Sequence, residues 1–246
     1  MDSPPSDDGY VSAVELCDPR WWAGAVAAYS SWLGTRHAAP GAACCLQHYC
    51  GKVLPLVVAE WVRTGRLLSM RHEDWQVRVD ENAATTAARH TAARHTAARH
   101  TAARHTAGHT ASGTPAGVPA VGQAVADHVA PLLDGVLAAS NLTRATALGG
   151  PAASLGGAVA RLYAAADPAD RAGIVRDGAA IIAVLEQTAG RALIRLDADG
   201  DVLLQTRTTC CLIRLGTERS FCDTCPRMDP IERVRRQRAR TRRAHP

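Results

Sequence analysis

The chain has 246 residues and a formal net charge of +5, and its composition is that of a folded protein. Its first ten residues, "MDSPPSDDGY", are acidic and polar, which excludes a secretory signal at this position. The longest strongly apolar run, Val53–Val62, is about half the ~20 residues that a membrane-spanning helix needs. We therefore expect a cytoplasmic protein without a transmembrane segment, whose eight cysteines are kept reduced.

The first third of the chain predicts helices followed by a strand. Asp18-Pro19 is typical of a helix start, and apolar residues follow it at helical spacing. Two more helices are predicted over Ala42–Cys50 and Leu54–Arg63, separated by a glycine. Alternating apolar and polar residues in "WQVRV" (Trp75–Val79) predict a half-buried strand. We assign residues 1–81 to the N-terminal part of one domain.

Residues 82–122 are of low complexity. The motif "TAARH" occurs four times in tandem from Thr86 to His105. A period of five keeps no apolar face constant on a helix or on a strand, so we expect a disordered insert that packs against nothing. The alternative is a metal-binding tract formed by the repeated histidines, which stand at positions 90, 95, 100, 105 and 109.

Residues 123–204 predict more helices and then a hairpin. Helical spacing resumes near Gln123, and Asp167-Pro168 predicts a further helix start, with Gly190 ending that helix. The stretch "RALIRLDADGDVLLQTRT" predicts two strands joined by a turn at "DADG". The predicted fold class is therefore α+β, a mainly helical body whose β-hairpin leads into a C-terminal cysteine-rich segment, residues 205–230.

That segment contains four cysteines in two pairs, Cys210-Cys211 and Cys222-x-x-Cys225. Thiolates are the ligands of zinc and of iron–sulfur clusters, and the C-x-x-C-P spacing allows one tight turn to aim two sulfurs at a metal. Adjacent residues on a strand point to opposite faces, so the first pair requires a bend after Thr209. Zinc fingers normally repeat C-x₂₋₄-C twice, which makes structural zinc the less favoured alternative to a [2Fe–2S] cluster.

The spacing Cys-Cys-x₁₀-Cys-x₂-Cys resembles that of the FhuF-like ferric-siderophore reductases, in which it holds a C-terminal [2Fe–2S] cluster. "RTTCCLIRL" and "CDTCP" are similar to the two halves of the family's cluster motif. "VLPLVVAEWVRTGRLL" and "LGGPAASLGGAVARL" resemble its helical body, although Gly149-Gly150-Pro151 departs from the family's glycine–asparagine. The resemblance implies that Cys210, Cys211, Cys222 and Cys225 are all cluster ligands.

The function that this resemblance implies is reduction of a ferric siderophore of the hydroxamate type, with release of Fe(II). The electron would come from an unidentified donor, such as a ferredoxin- or flavodoxin-like protein or its reductase. We find no glycine-rich dinucleotide fingerprint or phosphate loop to support direct NAD(P)H or flavin binding. The alternative from another class is a non-enzymatic module, either an iron–sulfur electron carrier or a zinc-stabilised adaptor.

Basic residues surround and follow the cysteines. Arg207, Arg214 and Arg219 are candidates for stabilising an anionic cluster or attracting an acidic ligand, although solvated arginines are equally ordinary. Residues 231–246 form a basic tail with seven arginines and one acid. The tail predicts contact with an acidic donor or an anionic membrane surface, or else a solvated, disordered extension. No structured basic face with a reading element is evident, so we expect no nucleic-acid partner.

A second group of thiols occurs in "CCLQHYC" (Cys44, Cys45, His48, Cys50), on a predicted helix. Cys44 and His48 are four residues apart and could chelate a metal together. Free cysteine is, however, among the most often buried residues, so we favour packing in the core. The sequence suggests no role for Cys17.

Overall fold

The computed structural model describes residues 9–91, 116–216 and 221–244, and the fold of this part is α+β and mainly helical, as predicted. The helices are α1 (Pro19–Trp32), α2 (Ala38–Thr64), α3 (Val118–Ala138), α4 (Arg144–Ala165), α5 (Arg171–Ala189) and α6 (Pro230–Ala244). The strands are β1 (Tyr10–Ser12), β2 (Trp75–Val79), β3 (Thr85–His90), β4 (Ile194–Asp199) and β5 (Val202–Arg207). The first five helices enclose one large hydrophobic core.

Helix α2 is one continuous helix of 27 residues, where the sequence predicts two. Gly51, the expected stop, and Pro55 both lie inside it. A glycine within a helix costs only about 1 kcal/mol relative to alanine. Packing offsets that cost, because α2 contacts α1, α4 and β3 and buries residues along most of its length. The helix ends where expected, at Gly65, whose φ of 70° is left-handed.

By length and composition α2 could also cross a membrane, which the sequence prediction did not anticipate. Most of its apolar window is buried by the rest of the chain, and the core helix of a soluble protein passes the same test. We treat α2 as a core helix.

The N-terminal sheet corrects the prediction for the start of the repeat. Strands β1, β2 and β3 pair antiparallel in that order, and β3 is the first copy of "TAARH" preceded by Thr85. Thr85 and His90 are buried, and the His90 ring lies edge-on to the ring of its cross-strand partner Trp75. The five-residue period is no obstacle here, because one strand needs only one copy.

The predicted insert 82–122 is therefore too long at both ends, since α3 already begins at Val118. The remaining copies of the repeat, with the alternative of a histidine metal site, fall in residues 92–115, outside the described residues.

Helix α4 lies at the centre of the second half of the molecule, between α2 on one side and α5 and the hairpin β4–β5 on the other. Two boundaries differ from the prediction. Helix α5 begins at Arg171, because residues 167–170 form a turn instead of its first turn. The hairpin turns at Gly200–Asp201, later than expected, and Gly200 takes the positive φ of 63° that this tight connection requires.

Candidate functional site

The cysteine-rich segment is attached to the end of β5 by the backbone. The Arg207 N–H donates to the Thr224 carbonyl (3.0 Å), and the Thr208 N–H donates to the Leu193 carbonyl (2.9 Å). The chain bends at Thr208 and Thr209, and Leu212 then adopts a left-handed φ of 63°. This is the bend that the adjacent cysteine pair requires if both sulfurs are to serve one site.

The four predicted cysteines lie together, and all are free thiols. The Sγ atoms of Cys211 and Cys222 are 3.7 Å apart, and the Cys210 thiol interacts with that of Cys211. Cys225 lies near enough to Cys222 and Cys210 for their charges to raise its pKa, after the larger effect of burial. In the described part of the chain, however, no three His, Cys, Asp or Glu side chains form a group arranged to hold a single metal ion.

Backbone N–H groups point at two of the sulfurs. Leu212 donates to Cys210 Sγ and Arg227 donates to Cys225 Sγ, each at 3.4 Å. The Cys225 N–H also donates to the Cys222 carbonyl (3.0 Å), which closes the tight C-x-x-C turn. Such N–H groups stabilise negative charge on sulfur, and they are among the protein's means of tuning an iron–sulfur centre.

The thiols divide into one that ionises easily and three that do not. The pKa of Cys210 is lowered to about 5, first by the hydrogen bond with Cys211 and then by the Leu212 N–H and the Arg214 guanidinium. The pKa of Cys211 is raised, mainly by the same contact with Cys210. The pKa of Cys222 is raised by Cys211 and by burial. Ionising all four thiols together is therefore unfavourable unless positive charge compensates for it.

Arg207 is the most unusual side chain beside these thiols. It is only 1% exposed, and its positive charge acts on both Cys211 and Cys222. Its Nη1 donates to Gln47 Oε1 (2.7 Å), but Nε and Nη2 have no hydrogen-bond partner, and no described carboxylate pairs with it. A buried charge without a counter-charge is expensive. No ion pair within the described residues offsets the burial of this guanidinium.

Helix α4 approaches Arg207 closely at Gly149. A Cβ at Gly149 would collide with Thr209 Oγ1 and lie 2.7 Å from Arg207 Nη2. Gly149 thus permits a close approach of α4 to the cysteine segment. Thr209 Oγ1 is a further buried polar atom without a partner.

The basic tail is mostly a helix, so the alternative of a disordered tail is wrong for α6. Gln237 pairs with β5 as a neighbouring strand would, because its Nε2 donates to the Gln205 carbonyl (2.7 Å) and its Oε1 accepts from the Gln205 N–H (2.8 Å). The same Nε2 donates to the Asp223 carbonyl (2.9 Å). Arg233 donates to the carbonyls of Cys225 and Met228. Helix α6 therefore holds the C-x-x-C turn against the body.

Several tail arginines are thereby engaged within the chain. Arg235 and Arg236 pair with Glu232, and Arg238 pairs with Asp199. Docking of the tail to an acidic partner or a membrane stays a prediction, with fewer free charges than the sequence suggests.

The remaining predicted residues are distributed as follows. Arg214 acts on the Cys210 thiol, whereas Arg219 lies outside the described residues. Cys44, Cys45 and Cys50 are buried in the core, as predicted, and burial raises the pKa of Cys45 to about 12.

One residue of the second cysteine group, Cys44, lies next to the cysteine-rich segment, which the sequence did not predict. The Cys44 Sγ lies 3.9 Å from the Cys211 carbonyl, whereas His48 faces the hydroxyl of Tyr29. Spacing along one helix could not reveal a contact with a segment more than 160 residues away. The burial of Arg207 and its bond to Gln47 were equally invisible in the sequence.

Comparison of the chain with protein-family models and with curated proteins finds no match.

Proposed function

We propose that this chain is an iron–sulfur reductase whose [2Fe–2S] cluster passes single electrons to ferric-siderophore complexes, releasing Fe(II). Cys210, Cys211, Cys222 and Cys225 are the proposed ligands, on the strength of the motif resemblance. The observation that carries the proposal is the buried Arg207, whose charge acts on the free thiols Cys211 and Cys222 and is paired with no described carboxylate. Four thiolates around a [2Fe–2S] core carry net negative charge and would balance that charge.

The surrounding residues fit such a cluster. A [2Fe–2S] core takes two thiolates on each of two irons, so its ligands need not surround one point. The spacing of the two pairs, Cys210-Cys211 and Cys222-x-x-Cys225, differs from the repeated C-x₂₋₄-C of structural zinc sites. Leu212 and Arg227 already direct N–H groups at the sulfurs of Cys210 and Cys225.

The cysteines differ in their access to solvent, so one side of the site is more open than the other. Cys211 and Cys225 are each 2% exposed, whereas Cys210 and Cys222 are partly exposed. A ferric complex would therefore approach from the side of Cys210 and Cys222. When bound, the cluster supplies one electron at a time. Fe(III) is held tightly by hard, charged oxygens, and Fe(II) much more weakly, so one electron suffices for release.

The proposal is tested by anaerobic reduction. Protein reduced with dithionite, freed of excess reductant, should convert a ferric siderophore to Fe(II) that a ferrous chelator traps. Protein with Cys222→Ser should not do so, and Cys17→Ser is the control, because Cys17 lies away from the site with its Sγ 3.7 Å from the Ala13 carbonyl. Cluster-loaded protein that keeps its electrons in the presence of every ferric complex tested would favour the alternative, a non-enzymatic electron carrier.

The physiological electron donor and a cytoplasmic location belong to the same proposal. A ferredoxin- or flavodoxin-like donor is acidic, so it would be attracted to the exposed arginines of α6, such as Arg242 and Arg243.

A further inference from the structure

A polar cleft lies beside the cysteine segment. It has a volume of about 470 Å³ and is enclosed by α2, α4, α6 and the C-x-x-C turn. Cys222 is part of its wall, and a smaller cavity that shares Arg161, Asp223 and Arg240 extends it toward α6. This size falls within the range of small-molecule binding sites.

Positive charge dominates the cleft. Lys52, Arg161 and Arg240 line it, and Asp223 is its only carboxylate among the described lining residues. Lys52, the only lysine in the chain, and Arg161 form no hydrogen bond or ion pair with another described residue. Arg240 lies 3.9 Å from Asp223, at the limit of an ion pair. Three cations thus face one partly exposed carboxylate.

These cations also repel one another. The pKa of Arg161 is lowered, first by burial and then by the charge of Arg240. Burial and then Lys52 lower the pKa of His48, which lies on the same wall, and the charge of Asp80 opposes them. Such a group of like charges is unfavourable when the cleft is empty, and an anion between them would relieve the repulsion.

Neutral polar groups complete the wall. Thr85, Ser154, Gln205 and Thr224 contribute hydroxyl and amide groups. The open space at Gly157 allows ligand access, because a Cβ there would meet only Gln205 Nε2 at 3.7 Å and Arg161 Nη1 at 3.8 Å. The cleft therefore offers cations and hydrogen-bond donors to an oxygen-rich ligand.

We propose that this cleft binds negatively charged ferric chelates, those whose iron is held by carboxylate or catecholate oxygens, in preference to neutral ones. As a redox site it rests on the proposed function, because Cys222 in its wall would place the chelated iron next to a cluster ligand. A neutral tris-hydroxamate complex would leave Lys52, Arg161 and Arg240 without counter-charges. The preference therefore departs from the hydroxamate class that the resemblance implies.

Binding can be measured without redox chemistry by replacing Fe(III) with Ga(III), which is not reduced. The probes are an anionic gallium tris-catecholate, a neutral gallium tris-hydroxamate of similar size, and inorganic phosphate, titrated by calorimetry into cluster-loaded protein. We expect the anionic chelate to bind at least about tenfold more tightly than the neutral one, and more weakly as salt is raised. Equal affinity for both chelates, or a preference for phosphate over the anionic chelate, would overturn the proposal.

Variants localise the binding. Arg161→Glu and Lys52→Glu should each weaken the anionic chelate by about ten- to a hundredfold, since each removes a charged contact and adds a repulsion. Arg242→Glu is the matched control, because it makes the same change of charge on the exposed face of α6, outside the cleft. Gly157→Leu tests occupancy without a change of charge and should weaken both chelates. Equal losses in the control and in the cleft variants would reduce the effect to long-range attraction and contradict a local site.

The two proposals fail separately. If the chain held no cluster but gallium tris-catecholate still bound at Arg161, the reductase would be wrong and the anion site would stand. If ferric complexes were reduced while no charge-selective gallium binding occurred, the cleft assignment alone would be wrong.

Discussion

Two buried polar side chains, His128 in the helical core and Arg207 beside the cysteines, have opposite surroundings. His128 is 2% exposed and both of its ring nitrogens have partners. Its Nδ1–H donates to the Met70 carbonyl (2.6 Å), and its Nε2 accepts from the Tyr49 hydroxyl (2.8 Å). Arg207 is equally buried, yet two of its nitrogens have no partner and no described carboxylate balances its charge.

The two side chains differ in whether the described residues satisfy their hydrogen bonds. Buried polar groups in folded proteins are nearly always hydrogen-bonded, and His128 follows this rule. Arg207 does not follow this rule, and its charge acts on the Cys211 and Cys222 thiols. Under the proposed function, the negative charge of a bound cluster would offset the buried charge of Arg207.

The largest expected effect comes from the ligands. Replacing Cys210, Cys211, Cys222 or Cys225 with Ser should lose or strongly destabilise the cluster, because each substitution removes one of four thiolates. Iron, acid-labile sulfide and the visible spectrum are the measurements. Cys50→Ser, in the core, should keep all three. Full occupancy in Cys222→Ser would show the ligand assignment to be wrong.

Cys44→Ser tests whether a thiol next to the site is also a ligand. Cys44 lies next to Cys211 but is not a proposed ligand, so the cluster should survive with at most a changed spectrum. Loss of iron equal to that of Cys211→Ser would make Cys44 a ligand.

Substitution of Arg207 tests the effect of its buried charge on the proposed cluster. Arg207→Met removes the unbalanced charge while keeping most of the side-chain volume, so the metal-free protein should be no less stable than the wild type. The cluster, in contrast, should lose occupancy and become harder to reduce, because a positive charge near it favours the added electron. Redox titration and chemical denaturation provide the two readouts. Arg195→Met, an exposed arginine on β4, is the control. An unchanged potential would contradict the assigned role of Arg207.

Helix α6 is expected to matter for stability. Gln237→Leu leaves the backbone N–H and carbonyl of Gln205 without partners, which should cost about 2–4 kcal/mol in the free energy of unfolding and loosen the C-x-x-C turn. Gln187→Leu on the exposed face of α5 should change the stability by less than about 0.5 kcal/mol. Equal denaturation midpoints for the two variants would show that α6 is a passive extension.

Protonation of His128 is expected to have a smaller effect on the free energy of unfolding. Burial, and then the charge of His72, which stacks on it with ring centroids 4.2 Å apart, lower the pKa of His128 to about 3. The unfolded chain has the ordinary value of about 6.5, so it binds more protons between these values. Stability is therefore full above pH 6.5 and falls as the pH is lowered, by up to roughly 1.4 kcal/mol per unit.

Denaturation between pH 7.5 and 5.5 measures that slope. The slope should flatten in His128→Gln, whereas His72 and His48, whose pKa values are also lowered, contribute equally to both proteins. An identical slope in the variant would contradict the role given to His128.

The smallest effect concerns the repeat. Deleting three of the four "TAARH" copies leaves one copy to form β3, so the stability should change by less than about 0.5 kcal/mol. Deleting all four places Thr110 at the position of the buried His90 and removes its contact with Trp75, at a cost of about 1–2 kcal/mol. Equal midpoints for the two deletions would show that β3 contributes nothing.

Local patterns predicted much of this fold. The Asp18-Pro19 helix start, the strand at Trp75–Val79 and the hairpin before the cysteines follow from capping and periodicity. Packing decided the rest. The continuity of α2 through Gly51 depends on the helices around it, and the strand formed by "TAARH" depends on pairing with β2. The sequence likewise supplied the four cysteines, but the isolation of Arg207 and the anchoring of α6 by Gln237 depend on contacts between segments distant in the chain.

The proposed cluster is tested most directly by analysing protein that has been purified without oxygen. We expect a reddish-brown protein with visible charge-transfer bands and about two irons and two sulfides per chain. Reduction with dithionite should bleach those bands and give the electron paramagnetic resonance signal of a one-electron-reduced [2Fe–2S] centre. A colourless protein with about one zinc ion per chain and no sulfide would show that the chain holds no [2Fe–2S] cluster.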